Sequence, residues 1–293
     1  MWNVPADIWK HPANRSARLK SLGRAIRWQL HYRLSGRSMD INYHGMTLRC
    51  PPGNHSASRA IYFSGLPDYA EMRFMQDYLR PADQVIDAGA NIGLYTLLAL
   101  SIVGPDGRVD AIEPNPDVIP WLRDNLRLNT ASNVSIHEVG LSDRQGETLL
   151  DASGNSCIAH VLADGLDHAA SSSSHEIRLD RLDQLLPARP FAMAKFDLEG
   201  YEPFALRGAA EWMRHGNPPV LLVEMGGYSR RYGVSTSEFI DELKQLGYFT
   251  ARYDPTDRYI RPDPNPWDSP GDNGLVIARC RFEEITARVS RGP

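Results

Sequence analysis

The sequence predicts an α/β protein with a mostly parallel sheet of seven strands, helices on both faces of that sheet, and an N-terminal extension. Three observations support this prediction. Strand-like and helix-like segments alternate along residues 69–277, which is the order that a parallel sheet requires. The chain has 293 residues, 42% of them hydrophobic, and can therefore bury a sizeable core. The first residues follow a different pattern, so we expect residues 1–60 to form the extension and residues 61–293 the main domain.

Composition and charge argue against several classes of protein. A net charge of -4 and a sequence pI of about 6.1 give no reason to expect a nucleic-acid partner. No apolar run reaches the ~18–20 residues of a membrane span, and the N-terminus lacks the pattern of a secretory signal. The cysteines, Cys50, Cys157 and Cys280, are far apart and odd in number, so no zinc site or disulfide framework is expected. We expect a cytoplasmic protein, and the sequence leaves open whether it forms a homo-oligomer.

The N-terminal unit begins with a basic amphipathic segment. Arginine and lysine residues between positions 15 and 37 alternate with apolar residues and predict a helix of about 20 residues. We expect this helix to pack on the main domain with its basic face in solvent. Contact with an acidic substrate, an anionic surface or a partner is the alternative. Short strand-like runs then flank His44 and Gly45 and predict a hairpin. The apolar residues of the helix are Leu19, Leu22, Ile26, Trp28, Leu30 and Leu34.

The elements of the main domain follow in a regular order. Pro81 ends the first helix, and the Gly-Pro-Asp-Gly sequence at residues 104–107 forms a turn before the second strand. Residues 251–272, rich in proline, aspartate and aromatic residues, are interpreted as a long loop. The predicted helices are 69–80, 92–102, 116–128, 180–186, 202–214 and 235–246. The predicted strands are 84–87, 108–112, 134–139, 175–179, 192–197, 219–224 and 274–279, with edge hairpins at 146–150 and 157–161.

The stretch VIDAGANIGLYT, residues 85–96, combines a strand, an acid and a flexible turn. Asp87 stands at the carboxyl end of the strand, and the turn leads into a helix. Glycine permits a tight turn and close approach of the backbone to a ligand, and the helix N-terminus offers free N–H groups. Glu113 stands at the end of the next strand, where an acid holds ribose hydroxyls. The spacing therefore predicts a nucleoside site. The turn residues are Gly89, Asn91 and Gly93.

The same stretch indicates which nucleoside is bound. The dinucleotide fingerprint G-x-G-x-x-G fails here, because Asn91 and Leu94 occupy its second and third glycine positions, and no P-loop lysine follows. A carboxylate at Asp87 suits a ligand that carries positive charge near the loop. S-adenosylmethionine carries an ammonium and a sulfonium, whereas a pyrophosphate would be repelled.

Several blocks of the sequence resemble class I S-adenosylmethionine-dependent methyltransferases, and more narrowly the FkbM family. The first two blocks are common to many methyltransferases, and the fourth is the most specific to the FkbM family. The resemblance covers roughly residues 60–280 and implies a Rossmann-like fold. The blocks are VIDAGANIGLYTLLAL (85–100), AIEPNP (111–116), GLSDRQGE (140–147), and LDRLDQLL (179–186) with AKFDLEGYEPFALRGA (194–209).

The resemblance also implies roles for individual residues. Adenine would lie near Ser142 or Asp143, and a backbone contact from Leu141 would serve equally. Asp197 would lie near the sulfonium and the acceptor. The residues implied for the methionine half of the cofactor are Asp87, Gly89, Asn91 and Gly93, and those implied for the ribose are Glu113 and Asn115.

Chemistry on the acceptor side needs a base if the acceptor is a hydroxyl. Methyl transfer is an in-line displacement that requires alignment, and a positioned base accelerates it further. Asp197 and Glu199 come from one strand end and are the first candidates; together they could also hold a divalent cation that acidifies the hydroxyl. His160 is a candidate base or acceptor contact, although no histidine shows metal-ligand spacing. Glu224 is another strand-end acid, and Glu202 suits a helix start as well.

The type of acceptor is inferred from the absence of a proper amino methyltransferase signature. The sequence NPPV at residues 217–220 resembles the N-P-P-aromatic signature of amino methyltransferases, but it precedes the fifth strand and ends in valine. This favours a hydroxyl acceptor. Aromatic and arginine residues near 228–232 and 251–272 suit a sugar, a glycan or a natural product, and loop packing explains them equally. The alternatives are a nucleotide-dependent oxidoreductase or sugar-modifying enzyme, and a non-catalytic module that binds S-adenosylmethionine.

Overall fold

The structure is a computed structural model that describes residues 4–152, 160–161, 173–224, 228–267 and 273–292. The helices are α1 (Val4–Lys10), α2 (Arg18–Ser35), α3 (His55–Tyr62), α4 (Tyr69–Tyr78), α5 (Leu94–Val103), α6 (Ile119–Leu128), α7 (Leu182–Leu185), α8 (Glu202–Arg207), α9 (Ala210–Met213), α10 (Thr236–Gln245) and α11 (Phe282–Arg291). The strands are β1 (Met39–Tyr43), β2 (Met46–Cys50), β3 (Gln84–Ala88), β4 (Arg108–Ile112), β5 (Val134–His137), β6 (Gly140–Leu141), β7 (Gly146–Asp151), β8 (His160–Val161), β9 (Ser174–Asp180), β10 (Met193–Phe196), β11 (Val220–Glu224), β12 (Tyr248–Asp254), β13 (Tyr259–Pro262) and β14 (Asn273–Ala278).

The main sheet confirms the α/β class. Its order is β13-β12-β14-β11-β10-β3-β4-β5. Strands β5, β4, β3, β10 and β11 are mutually parallel, whereas β14, β12 and β13 pair antiparallel with their neighbours. In the described residues this sheet has eight strands, not the predicted seven. The sequence missed β12 and β13 because the proline and aspartate content of residues 251–272 indicated a loop. Pro262 is tolerated because β13 is an edge strand.

A second sheet contains a strand that the sequence analysis counted among the seven strands of the main sheet. Its order is β6-β9-β7-β8, and β7 pairs antiparallel with both β8 and β9. The predicted strand at 175–179 therefore belongs here and not to the main sheet. Edge hairpins are predicted at 146–150 and 157–161, and the described residues of these ranges pair antiparallel as β7 and β8. Residues 153–159, which include Cys157, lie outside the described residues.

The core lies on both faces of the main sheet because the parallel strands are mostly apolar. Successive strand residues point to opposite faces. Thus Val85 packs on one side with residues of α4 and α5, whereas Ile86 packs on the other with residues of α8, α9 and α10. Burial on both faces is the arrangement expected for a parallel sheet with helical crossovers.

The predicted helix 202–214 is interrupted in the structure. It forms α8 and α9, and Gly208 lies between them. A Cβ atom built on Gly208 would lie 2.0 Å from the backbone oxygen of Ser142. This close approach brings the loop after β6 against the end of α8.

The N-terminal hairpin is confirmed as β1 and β2, with His44 in the turn at a φ of 52°. The side chains of Asn125 on α6 and of Asn129, the residue that follows α6, hold the edge of β2 that does not pair with β1. Asn129 accepts a hydrogen bond from the backbone N of Thr47 at 2.7 Å and donates one to its carbonyl at 2.7 Å. Asn125 accepts from the backbone N of Arg49 at 2.6 Å and donates to the carbonyl of Ile92 at 2.8 Å. The extension is thus tied to the turn that follows β3.

Helix α2 is the predicted basic helix, but most of its apolar residues do not pack on the protein. The buried positions on α2 are Ser21, Ala25 and Trp28. Trp28 donates a hydrogen bond to Ser58 of α3 at 3.0 Å. The angular spacing of the helix places the long apolar residues on the side away from this packed face. No helix in the described residues is long and apolar enough to cross a membrane. The exposed apolar residues are Leu19, Ile26, Leu30 and Leu34.

Two glycine-to-alanine substitutions should have opposite effects on stability. Gly208→Ala should lower the free energy of unfolding by about 2 kcal/mol or more, because the added methyl group meets backbone that cannot move freely. Gly23→Ala should raise it by about 0.5–1 kcal/mol, because Gly23 lies inside α2 with nothing within 4 Å of an added Cβ. Chemical denaturation of both variants tests this pair. Equal stability of the two variants would contradict the packing described for Gly208.

Candidate active site

A cavity opens at the carboxyl ends of the parallel strands β3, β4, β10 and β11. This edge, where the strand order reverses, is where open α/β sheets bind ligands. The cavity encloses about 870 Å³, counting its open mouth, which is within the range of small-molecule sites. Its walls include Ser56, Arg59, Gly89, Asn91, Glu113, Gly140, Leu141, Leu150, Val161, Asp197, Glu199, Tyr201 and Glu224.

The turn after β3 forms the floor of the cavity. Gly89 has a φ of +77°, and a Cβ atom there would lie 1.9 Å from the carbonyl oxygen of Asp197. No side chain fits between these two segments of backbone, so the position requires glycine. Asn91 also lies in the left-handed region, with a φ of 51°. Gly93 has a φ of +96° and immediately precedes α5, so the first N–H groups of this helix lie next to the turn.

Glu113 joins the turn after β3 to the segment after β4. Its two carboxylate oxygens accept hydrogen bonds from the backbone N–H groups of Asn91 at 2.8 Å and Asn115 at 2.9 Å. Burial raises the pKa of Glu113 to about 7, and the two backbone donors only partly oppose this rise. Each carboxylate oxygen has two acceptor sites, so Glu113 retains acceptor capacity toward the cavity.

Asp87 lies behind the turn and not on the cavity wall. It is 1% exposed, and its Oδ2 accepts a hydrogen bond from the Thr96 hydroxyl at 2.6 Å. Its Oδ1 is buried without a hydrogen-bond partner. Burial raises its pKa, although the charge of Lys195 opposes the rise. Asp87 thus supplies negative potential beneath the loop.

Three further residues named from the sequence have structural contacts of their own. Asn115 is 2% exposed, and its side chain accepts from the backbone N of Asp117 at 3.0 Å, which shapes the start of α6. Ser142 is fully buried, and its backbone N donates to the carbonyl of Asp180 at 2.8 Å. Asp143 is half-buried, and its carbonyl accepts from Arg181 at 3.0 Å. The cavity wall at this point is formed by the preceding pair, Gly140 and Leu141.

Three carboxylates converge on the side of the cavity formed by the ends of β10 and β11. Asp197, Glu199 and Glu224 each offer an oxygen atom, and these atoms all lie within 4.8 Å of one another. Burial raises the pKa of Glu199 to about 8, and the charges of Asp197 and Glu202 add to the rise. Burial and the neighbouring Asp197 also raise the pKa of Glu224 well above its usual range. Near neutral pH Glu224 therefore holds a proton, and Glu199 is mostly protonated with a minor ionised fraction.

Lys195 keeps the remaining member of the cluster ionised, and the sequence analysis did not identify this residue. The residue lies inside β10 and is 3% exposed; its Nζ lies 2.9 Å from Oδ2 of Asp197 and 4.6 Å from the centre of the Tyr95 ring. Burial would raise the pKa of Asp197, but the charge of Lys195 and a hydrogen bond from Glu224 outweigh it and lower that pKa. Only the position of Lys195 within an otherwise apolar strand could have indicated its role.

Glu202 fixes the loop that carries these carboxylates. It is fully buried in the first turn of α8, and its Oε1 accepts from the backbone N–H groups of Leu198 at 2.6 Å and Gly200 at 3.3 Å. Burial raises the pKa of Glu202 to about 7. Glu199 has a φ of 55°, a conformation uncommon for residues other than glycine. A Cβ atom on Gly200 would lie 2.6 Å from the backbone of Tyr228.

The N-terminal extension contributes Arg59, which the sequence analysis missed because it precedes the recognised motifs. Arg59 lies on α3, a helix that Asn54 caps through a 2.9 Å hydrogen bond from Ala57. Its Nη2 donates to Asp68 at 2.6 Å, and the Tyr95 hydroxyl donates to the other oxygen of Asp68 at 2.9 Å. The Nε of Arg59 is buried without a hydrogen-bond partner.

His160 and Val161 form the short strand β8 at the rim of the cavity. Val161 is part of the wall, and its carbonyl accepts a hydrogen bond from Tyr232 at 2.8 Å. Consecutive strand residues point to opposite faces, so the side chain of His160 is directed to the face away from Val161. Tyr232 also packs edge-on against Tyr201, with ring centres 5.0 Å apart.

Other sequence candidates lie away from the cavity. The Tyr253 hydroxyl donates to Asp77 at 2.7 Å within the core, and the Trp267 indole donates to the carbonyl of Val223 at 3.0 Å. Packing in the core therefore accounts for both rings. The NPPV sequence forms the turn before β11 at the amino end of the strands, where Asn217 accepts from the backbone N of Phe191 at 3.0 Å.

Comparison with known proteins connects this geometry to a family. Residues 87–250, more than half of the chain, match the family described as methyltransferase FkbM domain. The chain is similar to methyltransferase 1 of Beauveria bassiana, with 28% identity over 143 residues, covering 42% of this chain and 57% of that protein. It is similar to arsenite methyltransferase of Halobacterium salinarum, with 36% identity over 64 residues, covering 21% and 16%. The matches thus span less than two thirds of either relative.

A solved structure that resembles this one is the methyltransferase FkbM from Methylobacillus flagellatus. The two chains are 16% identical, and the alignment covers 94% of this chain and 62% of that chain with a TM-score of 0.43.

Replacement of Glu202 should change how stability depends on pH. The pKa of Glu202 is raised in the folded protein to about 7, so its ionisation penalises the folded state as the pH rises through the interval from about 4.5 to 7. Glu202→Gln cannot ionise, so its unfolding free energy relative to wild type should increase by about 2–3 kcal/mol over this interval.

Denaturant unfolding at several pH values measures this difference in unfolding free energy. A destabilisation by the amide that does not depend on pH shifts all values equally and does not affect the trend. Glu211→Gln, at a position whose side chain is 66% exposed, is the control and should show no such trend. A parallel pH dependence of wild type and Glu202→Gln would contradict the assigned ionisation.

Proposed function

The chain belongs to the FkbM family of methyltransferases, and from this premise we propose that it transfers the methyl group of S-adenosylmethionine to a hydroxyl group of a sugar, a glycan or a natural product. The observation that carries the proposal is the set of carboxylates at the carboxyl edge of the sheet. Glu113 lies on one side of the Gly89 turn, and Asp197, Glu199 and Glu224 lie on the other. Such a cavity favours a cationic ligand and disfavours the pyrophosphate of a dinucleotide.

The proposed cofactor pose follows the walls of the cavity. The turn from Gly89 to Gly93 holds the methionine half, and the N-terminus of α5 provides N–H groups there. Arg59 offers its unpaired Nε–H to the methionine carboxylate. Glu113 accepts hydrogen bonds from the ribose hydroxyls. The backbone of Leu141 is placed against the adenine, because it lines the cavity whereas Ser142 is buried.

We assign the role of general base to Glu199. As the acceptor oxygen attacks the methyl carbon, the C–O bond forms, the C–S bond breaks and the hydroxyl proton passes to Glu199. A pKa of about 8 makes this carboxylate a stronger base than an ordinary glutamate and still partly ionised near neutral pH. Asp197, kept ionised by Lys195, supplies negative charge next to the sulfonium. His160 is not assigned a role, since Val161 and not His160 forms the wall.

The acceptor class is supported by the aromatic residues on this side of the cavity. Tyr201 lines the wall, and Tyr228 and Tyr232 lie next to the loop that carries Glu199. Flat rings together with carboxylates suit a polyhydroxylated ligand, because the rings cover its apolar face and the carboxylates accept hydrogen bonds from its hydroxyl groups.

A second candidate for the carboxylate cluster is a divalent cation that acidifies the acceptor hydroxyl. The supporting observation is that Asp197, Glu199 and Glu224 bring oxygen atoms within 4.8 Å of one another, and oxygen ligands suit Mg²⁺ or Ca²⁺. Full activity after exhaustive treatment with a chelator would decide against this candidate. Activity that is lost and then restored by Mg²⁺ would establish it.

The proposal is tested by methyl transfer from labelled S-adenosylmethionine to a panel of sugars, glycans and hydroxylated natural products, with amines included as competitors. Products should carry the label as a methyl ether, identified by mass spectrometry and NMR. Transfer only to amines would contradict the assignment of a hydroxyl acceptor. The absence of transfer to any hydroxylated compound or amine in the panel would contradict the proposed acceptor class.

The base assignment makes a prediction about pH and rate. With a productive acceptor, the wild-type kcat/KM should rise as the pH increases through about 8, because Glu199 accepts a proton only when it is ionised. Glu199→Gln should lower kcat by roughly 10²-fold or more and remove this pH dependence. Glu176→Gln, on an exposed position of β9, is the matched control. An unchanged pH profile in Glu199→Gln would exclude Glu199 as the base.

A further inference from the structure

Helix α2 carries an apolar stripe that the protein leaves in solvent. This stripe, termed here the outer stripe, consists of Leu19, Ile26, Leu30 and Leu34, which are 76%, 61%, 54% and 84% exposed. The opposite side of the helix packs on α3, where Trp28 donates to Ser58 and Arg24 donates to the carbonyl of Ile61 at 3.3 Å. Isolated exposed leucines are ordinary, but an aligned row of four on one helix face marks an interaction surface.

The charge around the outer stripe has a single sign. Residues 8–39 contain eight lysine and arginine residues and no aspartate or glutamate. Because the whole chain carries -4, the remaining residues carry -12, so the positive charge is concentrated on this segment. At about 3.6 residues per turn, Arg33 borders the stripe on one side and Lys20 and Arg27 border it on the other. An apolar centre with basic edges suits a surface that is apolar inside and anionic outside.

We propose that α2 docks on the surface of a membrane containing anionic phospholipids. The outer stripe inserts at the boundary between headgroups and acyl chains, and the flanking basic residues contact lipid phosphates. Trp9 on α1, which is 43% exposed and stacks against Arg18 at 5.3 Å, adds an aromatic residue of the kind enriched at such interfaces.

Charge complementarity favours this occupant over a second copy of the chain. A symmetric dimer through the outer stripe would place the basic edges of one α2 close to those of the other. That arrangement would bring many like charges together. An anionic bilayer neutralises the same charges and covers the apolar residues at once.

The docking does not depend on the function proposed above. Since α3 lies between α2 and the cavity, the outer stripe faces away from the residues that line the cavity. Substitutions on the stripe should therefore leave cofactor binding unchanged, which provides a check on folding for each variant.

The test is co-sedimentation of the full chain with vesicles of phosphatidylcholine, with and without phosphatidylglycerol. Wild type should bind the vesicles that contain phosphatidylglycerol and lose binding at high salt. The triple variant Ile26→Gln, Leu30→Gln, Leu34→Gln should bind at least about tenfold more weakly. Leu128→Gln, at a position that is 39% exposed on α6, is the matched control and should bind like wild type.

Three results would overturn the proposal. Wild type that fails to bind the anionic vesicles shows that the segment does not recognise a membrane. A triple variant that binds as tightly as wild type shows that another surface is responsible. A wild type that is dimeric by light scattering, with a triple variant that is monomeric, shows that a second copy of the chain covers the stripe.

Discussion

The close approach of two loops at the centre of the sheet is the constraint on which the site depends. Strands β3 and β10 are parallel neighbours, and the turn after β3 meets the carbonyl of Asp197 so closely that Gly89 cannot carry a side chain. This contact fixes the distance between the turn and the acidic loop. Asn125 of α6 supports the turn from the other side through the carbonyl of Ile92. The cavity is therefore set by backbone contacts rather than by flexible side chains.

The second constraint is electrostatic. Several acids crowd one edge of the sheet, and Lys195 is the buried cation placed among them. Burial raises the pKa values of Glu113 and Glu199, and neighbouring carboxylates add to the rise, so ionising these groups has a free-energy cost. A bound sulfonium and ammonium would offset that cost, and would favour the ionised forms that accept hydroxyl protons. The proposed cofactor binding and the proposed activation of the base therefore depend on the same electrostatic interaction between the carboxylates and the cationic cofactor.

The sequence predicted the parts of the fold that depend on local pattern. The strand at Asp87, the turn at Gly89 and the acid at Glu113 are local signals, and the structure brings the turn and Glu113 together at one cavity. The sequence could not show that Asp87 is buried beneath the turn. Arg59 was missed because its contribution depends on tertiary packing of the extension. The outer stripe on α2 was misinterpreted for a related reason: periodicity shows that one face is apolar, but not which neighbour, if any, covers it.

Calorimetric titration with S-adenosylmethionine and, separately, with NAD tests the central claim that the cavity at the Gly89 turn is a site for a cationic nucleoside. We expect wild type to bind S-adenosylmethionine in the micromolar range and not to bind NAD. Glu113→Ala and the isosteric Glu113→Gln should bind S-adenosylmethionine at least about tenfold more weakly while unfolding cooperatively. Tight binding of NAD, or an affinity for S-adenosylmethionine that is unchanged in both variants, would contradict the assignment of this cavity.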